Sequence, residues 1–139
     1  MYGLIAEGHF DAAHFLADYH GKCENLHGHR WRVEVVVESE QLGQEGTERA
    51  MVQDFGRFKR EVASVCDEFD HRLLVEQGTL KPTTIEALES EGFALEVLPF
   101  RTTAENLAHE IFCRLEARGL PVAQVEVDET PANRAFYRK

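Results

Sequence analysis

Two segments in which apolar and polar residues alternate constrain the fold of this chain most strongly. They are "LIAEGHFDAAH" at positions 4–14 and "HGHRWRVEVVVE" at positions 27–38. Side chains of an extended chain point alternately to opposite faces, so every second residue shares a face. The apolar faces consist of Leu4, Ala6, Gly8, Phe10, Ala12 and His14 in the first segment, and of His27, His29, Trp31, Val33, Val35 and Val37 in the second. The pattern predicts two β-strands, each with a buried face that carries histidine at one end.

The middle of the chain predicts two amphipathic helices. In "DFGRFKREVASVCDEF" apolar side chains recur at spacings of three and four residues after Asp54, a suitable N-cap. In "TTAENLAHEIFCRLEARGLP" Thr102 and Glu105 have the spacing of a capping box, and Gly119 with Pro121 marks the end of the helix. Between the two helices, the region 72–101 predicts only a short helix around "TTIEALESE" and a return segment "FALEVLPF".

The end of the chain predicts two further strands, "VAQVEVDET" and "RAFYR", joined through "PAN". The predicted element order is therefore ββααββ, an α+β fold with a four-stranded antiparallel sheet and two helices on one face. The 139 residues contain no internal repeat and no flexible linker. We expect a single domain spanning residues 1–139.

Charge and cysteine content indicate which partners the protein can bind and in which compartment it works. Lysine and arginine number 15 against 25 acidic residues, and the formal net charge of -10 disfavours nucleic acid and anionic membranes as partners. The N-terminus "MYGLIAEGHF" lacks the basic segment and long apolar run of a signal peptide. Three cysteines do not form a disulfide framework. We expect a cytoplasmic protein with reduced thiols and a small-molecule ligand.

The histidines on the two strand faces are candidate metal ligands. His27 and His29 point to the same side of one strand, and His14 ends a strand that could pair with it. Three imidazoles would leave a tetrahedral zinc ion with one open position, the pattern of a catalytic site. The alternative interpretation is three histidines with ordinary hydrogen bonds in the core or at the surface.

Further titratable side chains occur near these histidines or on an apolar face. Cys23 lies in the polar loop "HGKCEN", where it could be a reactive thiol or a fourth zinc ligand, whereas Cys66 and Cys113 lie in apolar helix stripes. Asp70 precedes His71, which predicts either a carboxylate-imidazole pair or a solvated helix end. The side chains of Glu129, Val125 and Val127 fall on one face of the third predicted strand, unless that strand ends earlier. A buried carboxylate there would need a partner.

Five motifs in order resemble the 6-pyruvoyltetrahydropterin synthase family. They are "FDAAH", "CENLHGH", "FDHRLL", "TTAENLA" and "VEVDETP". The resemblance implies a tunnelling fold whose subunits assemble into a barrel, a dimer of trimers with active sites shared between subunits. The residues to which it assigns roles are His14, His27 and His29 as zinc ligands, Cys23 as catalytic thiol, Asp70 and His71 as its activating dyad, and Glu129, with Thr103 and Glu105 nearby, for the pterin.

Within that family, the spacing of Cys23 and His27 indicates the branch. The three residues between them are typical of carboxytetrahydropterin enzymes, whereas pyruvoyl enzymes usually have a longer gap. The implied reaction is a zinc-dependent carbon-carbon cleavage of 7,8-dihydroneopterin triphosphate. A triphosphate elimination without that cleavage, and a zinc-stabilised oligomeric binding module without catalysis, stay open as alternatives. Candidate contacts for the triphosphate are Lys22, Arg30, Arg72 and Arg101.

The chain departs from the family pattern at three places. Thr102 stands where many members have proline, the segment 73–100 is longer than in compact bacterial members, and the tail "PANRAFY" matches only in part. These departures concern the contacts to the substrate's side chain more than the metal site.

Overall fold

Six strands form one mixed sheet in the computed structural model, which describes residues 1–139. The elements in chain order are β1 (Tyr2–His14), β2 (His27–Ser39), α1 (Phe55–Asp67), β3 (Leu73–Glu76), α2 (Pro82–Ser90), β4 (Leu95–Leu98), α3 (Ala104–Ala117), β5 (Val122–Thr130) and β6 (Asn133–Arg138). Across the sheet the strands follow the order β4-β3-β1-β2-β5-β6. No helix combines the length and apolar character that a bilayer crossing requires.

The predicted α+β class and the four long or terminal strands are confirmed, but the four-stranded ββααββ order is wrong in its middle. β1, β2, β5 and β6 pair antiparallel as expected. The short helix and return segment are α2 and β4, and β3 was not predicted. β3 and β4 pair in parallel with each other, and β3 joins β1 at the single position Ala13 and Leu73. Strands of four residues are too short to show the alternation by which β1 and β2 are recognised.

The hydrophobic core lies between one face of the sheet and the helices α1 and α3. Trp31 and Phe10 stack at a centroid distance of 5.9 Å, and the β2 face continues in fully buried valines at positions 33, 35 and 37. Asp54 caps α1 as predicted and accepts a hydrogen bond from the Arg57 backbone N–H at 2.8 Å. Cys66 is buried in this core as expected. The prediction for Cys113 was wrong, because that thiol is exposed on the outer side of α3.

The register of β1 and β2 positions the histidines. His14 lies directly opposite His27, and Ala12 lies opposite His29. Because facing residues of antiparallel strands are neighbours, the end of β1 and the start of β2 bring three imidazoles to one corner of the sheet. β5 pairs with the other edge of β2 and runs past the same corner.

Candidate metal centre and active site

Three imidazoles and one carboxylate converge where β1 ends and β2 begins. The ligand atoms of His14, His27, His29 and Glu129 all lie within 4.8 Å of one another. Glu129 comes from β5, and its Oε1 atom lies 3.3 Å from His14 Nε2 and 3.3 Å from His29 Nε2. The structure thus brings the three histidines predicted as metal ligands together, and it adds an acidic side chain for which the sequence predicted a different role.

Hydrogen bonds on the other ring nitrogens define which atoms face the centre of the group. His14 Nδ1 lies 2.9 Å from the Thr102 carbonyl oxygen, and His27 Nδ1 lies 2.6 Å from the Asn25 carbonyl oxygen. A carbonyl oxygen only accepts, so in a neutral ring the hydrogen is on Nδ1 and Nε2 carries a free lone pair. The Nε2 atoms of His14, His27 and His29 are buried and have no hydrogen-bond partner. Ordinary core histidines would be satisfied, so this observation favours ligands.

Lowered pKa values keep the His14 and His29 rings neutral near pH 7. Burial, with smaller contributions from nearby His27 and His29, lowers the pKa of His14 to about 4, against the opposing effect of the Thr102 carbonyl. The pKa of His29 is also lowered, chiefly by burial, although Glu129 acts in the opposite direction. Contacts of His14 and His29 with Glu129 are therefore not ion pairs at neutral pH.

This arrangement fits a divalent metal ion. The free Nε2 lone pair of His14 lies 3.3 Å from the Glu129 carboxylate oxygen, so two electron-rich atoms face each other without a hydrogen between them. A cation at their centre converts this repulsion into attraction. Imidazole nitrogen with carboxylate oxygen is a donor set that suits zinc and other first-row transition metals.

Thr102 contacts a proposed metal ligand, and its predicted role as the N-cap of α3 is wrong. It is fully buried, and its Oγ1 lies 3.2 Å from His14 Nδ1 and donates to the Phe15 carbonyl at 3.4 Å. The N-cap of α3 is Thr103 instead, whose side chain accepts from the Asn106 backbone N–H at 3.3 Å. Two adjacent threonines made the cap ambiguous in the sequence, and the structure shows that the first of them, Thr102, is the buried one.

Trp31 supports the two ligand rings that it contacts. Its ring meets those of His14 and His29 edge-on at centroid distances of 4.9 and 5.1 Å. The indole N–H donates to the Ala12 carbonyl oxygen at 3.2 Å, so the ring is itself held in place. Packing and hydrogen bonds of this kind fix the orientation of metal-binding imidazoles.

Cys23 lies in the loop between β1 and β2, in a short 3-10 turn (Lys22–Glu24). It is half-buried, and its carbonyl oxygen accepts from the Leu16 N–H at 2.9 Å. Arg101 holds the same loop by donating to the Ala17 carbonyl at 2.6 Å. The Cys23 thiol does not belong to the group of converging ligand atoms. The absence of the thiol from this group disfavours Cys23 as a structural zinc ligand.

Asp70 and His71 form the predicted carboxylate-imidazole pair. Asp70 Oδ2 lies 2.9 Å from His71 Nδ1, and Asp70 Oδ1 accepts from the Asp11 backbone N–H at 2.8 Å. His71 has a positive φ of 54° and donates its backbone N–H to the Asp11 carbonyl at 2.7 Å. The Asp11 N–H and then His71 lower the pKa of Asp70, whereas the hydrogen bond and charge of Asp70 raise the pKa of His71. The imidazole is exposed to solvent beside the end of β1.

One chain does not bring all the predicted catalytic residues together. No hydrogen bond joins Cys23 to Asp70 or His71. His71 lines a cavity of about 630 Å³ together with His29, and Cys23 does not line it. Thr103 is occupied as a helix cap, and Glu105 is exposed in the first turn of α3 without an ion pair. Neither residue belongs to the cluster of three histidines and Glu129.

Fold and site together define a candidate metalloenzyme in which a sheet corner presents three histidines and a glutamate to one point. Residues 4–139 match the family model described as 6-pyruvoyl tetrahydropterin synthase. The chain belongs to this family, which makes it a lyase of the pterin-synthase kind.

Among curated proteins, the chain is similar to two named 6-carboxy-5,6,7,8-tetrahydropterin synthase. It is 35% identical to the protein from Haemophilus influenzae over 145 residues, covering 100% of both chains, and 34% identical to the protein from Synechocystis over 139 residues, covering 99% of this chain and 93% of the other. Its fold resembles that of Caenorhabditis elegans 6-pyruvoyl tetrahydropterin synthase, with a TM-score of 0.68, 25% identity and coverage of 99% and 95%. An uncharacterized protein from Wolinella succinogenes has the same fold, with a TM-score of 0.74, 24% identity and coverage of 99% and 98%.

Proposed function

We propose that this protein converts 7,8-dihydroneopterin triphosphate and water to 6-carboxy-5,6,7,8-tetrahydropterin, acetaldehyde and triphosphate in a zinc-dependent reaction. The reaction belongs to the route to queuosine and related deazapurines. The observation that carries the proposal is the set of buried Nε2 atoms on His14, His27 and His29, which have no partner and face one point. The names of the curated relatives and the three-residue gap between Cys23 and His27 support the carboxy product.

The proposal gives each group of residues a role. Zinc held by His14, His27 and His29 would polarise the oxygens of the substrate's side chain. Cys23, as a thiolate, would take a proton from a side-chain carbon, and the Asp70–His71 pair would move protons at the neighbouring carbon. Asp70 raises the pKa of His71, so the imidazole holds a proton that it can give up.

Glu129 would bind the pterin through hydrogen bonds from the ring N–H and amino groups to its carboxylate. Its side chain is about one-fifth exposed beside the histidines, so the carboxylate is accessible and close to the proposed metal. Thr103 and Glu105 would lie near the same ligand. Of the two, Glu105 has a free carboxylate, because it makes no ion pair within the chain.

We further propose a dimer of trimers with active sites shared between subunits. β6 has one edge without a partner strand, and β1 meets β3 at one residue pair, so most of its outer edge is open. Such edges tend to pair with another chain. Sharing would also explain why Cys23 and the Asp70–His71 pair make no contact within one chain, because a neighbouring subunit would supply the missing partner.

A second candidate is the 6-pyruvoyl reaction, which eliminates triphosphate and keeps the carbon chain intact. The description of the matching family model and the similarity to the Caenorhabditis elegans enzyme favour it. The same residues would serve both reactions up to triphosphate release. The two functions are distinguished by incubating the protein with 7,8-dihydroneopterin triphosphate and identifying the pterin product by mass spectrometry. A 6-pyruvoyl product without the 6-carboxy product would contradict the proposal.

The third candidate, a zinc-stabilised binding module, makes the opposite prediction for one variant. If Cys23 were a structural ligand, Cys23→Ala would lose zinc and unfold more easily. The proposed enzyme instead predicts that Cys23→Ala retains its metal content and its melting temperature and loses turnover. His27→Ala serves as the reference, because it removes a member of the ligand group and should lose metal.

A further inference from the structure

A cavity between β1, β2 and the segment 71–95 has cationic side chains at its wall. Its volume is about 630 Å³, and Arg30, His71 and Arg72 line it, with Asp11 as the carboxylate among the lining residues. Much of the remaining wall is apolar and includes Leu26, Leu73, Leu88, Phe93 and Leu95. An apolar cavity with a few charged groups is typical of a small-molecule site.

The β1–β2 register and the chain connection place both arginines beside His71. Arg30 lies directly opposite Asp11, whose backbone bonds to both Asp70 and His71. Arg72 follows His71 in the chain, and its carbonyl oxygen accepts from the Ala13 N–H at 3.2 Å. These contacts fix the backbone positions of both arginines around the proposed proton-transfer pair.

The two arginines are also available to a ligand. Arg72 makes no ion pair within the chain, and Arg30 has only a loose one, with Nη1 3.6 Å from Asp11 Oδ2. Arg101 is not available in the same way, because it donates to the Ala17 carbonyl and lies over the Tyr19 ring at 5.8 Å. Lys22 is exposed on the 3-10 turn and does not line the cavity.

We infer that Arg30 and Arg72 form the subsite for the triphosphate group of the substrate, with the anion held beside His71. The inference rests on the proposed function, since it assigns a subsite to that substrate. A net charge of -10 repels a polyanion, so binding requires a local excess of positive charge. Arginine provides paired N–H donors that match phosphate oxygens. His71 lines the same cavity, so an anion held there by the two arginines lies beside the dyad.

Binding of inorganic triphosphate to the metal-loaded full-length protein tests the subsite. We expect Arg30→Gln and Arg72→Gln each to weaken binding at least about tenfold, because each removes charge-assisted hydrogen bonds. Arg72→Lys should lose less, because it retains the charge. Arg57→Gln is the matched control, since Arg57 is exposed on α1, makes no ion pair and lies outside the cavity. Metal content is measured after each titration, so that extraction of the metal is not counted as binding.

Kinetics with the pterin substrate separate the subsite from the function. Both glutamine variants should raise KM far more than they lower kcat, and the effect should diminish as salt is added. Unchanged triphosphate binding and unchanged KM in the two variants would overturn the subsite and leave the proposed function standing if the wild type forms acetaldehyde. Arginine-dependent triphosphate binding without any pterin turnover would instead overturn the proposed function.

Discussion

Replacing Thr102 with valine removes one hydroxyl group next to a proposed metal ligand and preserves the shape of the side chain. Thr102 is fully buried, so valine fits the same space without exposure to water. The hydroxyl contacts His14 Nδ1 at 3.2 Å and donates to the Phe15 carbonyl at 3.4 Å. The Thr102 backbone carbonyl, 2.9 Å from the same Nδ1, remains in the variant. His14 therefore keeps its tautomer and loses one of two orienting contacts.

The structure gives an expected size for both effects. Losing a buried hydrogen bond costs about 0.5–1.5 kcal/mol in the free energy of unfolding, and both hydroxyl contacts here are long. Loss of an outer partner of a metal-binding histidine costs about 10- to 100-fold in metal affinity. Because the stronger contact to the carbonyl remains, we expect the lower end, about tenfold weaker zinc binding.

Zinc affinity is measured by competition with a chromophoric chelator, and stability by urea unfolding of the metal-free protein. Thr102→Ser retains the hydroxyl and should bind zinc nearly as the wild type does. Thr103→Ala is the matched control, because it removes the α3 cap and should cost about 1 kcal/mol of stability while zinc affinity is preserved. Equal zinc affinity for Thr102→Val and Thr102→Ser would refute the role of the Thr102 hydroxyl in orienting His14. Weaker zinc binding by Thr103→Ala would refute the assignment of Thr102 to the metal site and of Thr103 to the helix cap.

Three further predictions concern the thiols and the dyad. Cys23→Ala and His71→Ala should each be inactive when expressed alone. If active sites are shared between subunits, co-expression of the two variants should restore part of the activity. Mixed assemblies that stay inactive would contradict sharing. Asp70 raises the pKa of His71, so Asp70→Asn should lower that pKa toward its ordinary value in an NMR titration of the ring C–H signals, and an unchanged pKa would contradict the pairing. Iodoacetamide should modify the exposed Cys113 in the native protein and leave Cys66 unmodified, because burial raises the pKa of the Cys66 thiol to about 12. Mass spectrometry that finds Cys66 modified before Cys113 would contradict the packing.

Alternation in the sequence was sufficient to predict the part of the fold that carries the site. A period of two over more than ten residues identifies β1 and β2, and it places His14 on the buried face of β1 and His27 and His29 on the buried face of β2 before any pairing is known. The register that brings the three rings together depends on pairing across the loop that contains Cys23. Sequence periodicity does not contain that register, because the connection between the two strands, residues 15–26, is too long to fix it.

The parts that the sequence did not predict depend on contacts between distant segments. β3 and β4 pair in parallel across α2, and each is too short to show a period of its own. Thr102 fits a local capping pattern, but its hydroxyl contacts His14, which is 88 positions away in the sequence. The position of Cys113 is close to the apolar spacing of α3, but its side chain does not lie on the face of the helix that packs against the sheet, so the thiol is exposed. Glu129 was placed on the apolar face of its strand, but its approach to two histidines required the pairing of β5 with β2.

The ratio of acetaldehyde to triphosphate released from 7,8-dihydroneopterin triphosphate tests the proposed function most directly. Both products are quantified in the same reaction with zinc-loaded protein, and Cys23→Ala, which should retain the metal, serves as the inactive reference. Carbon-carbon cleavage predicts equal amounts of the two products, because each substrate molecule yields one of each. Triphosphate release without acetaldehyde would contradict the proposal and identify the elimination reaction instead.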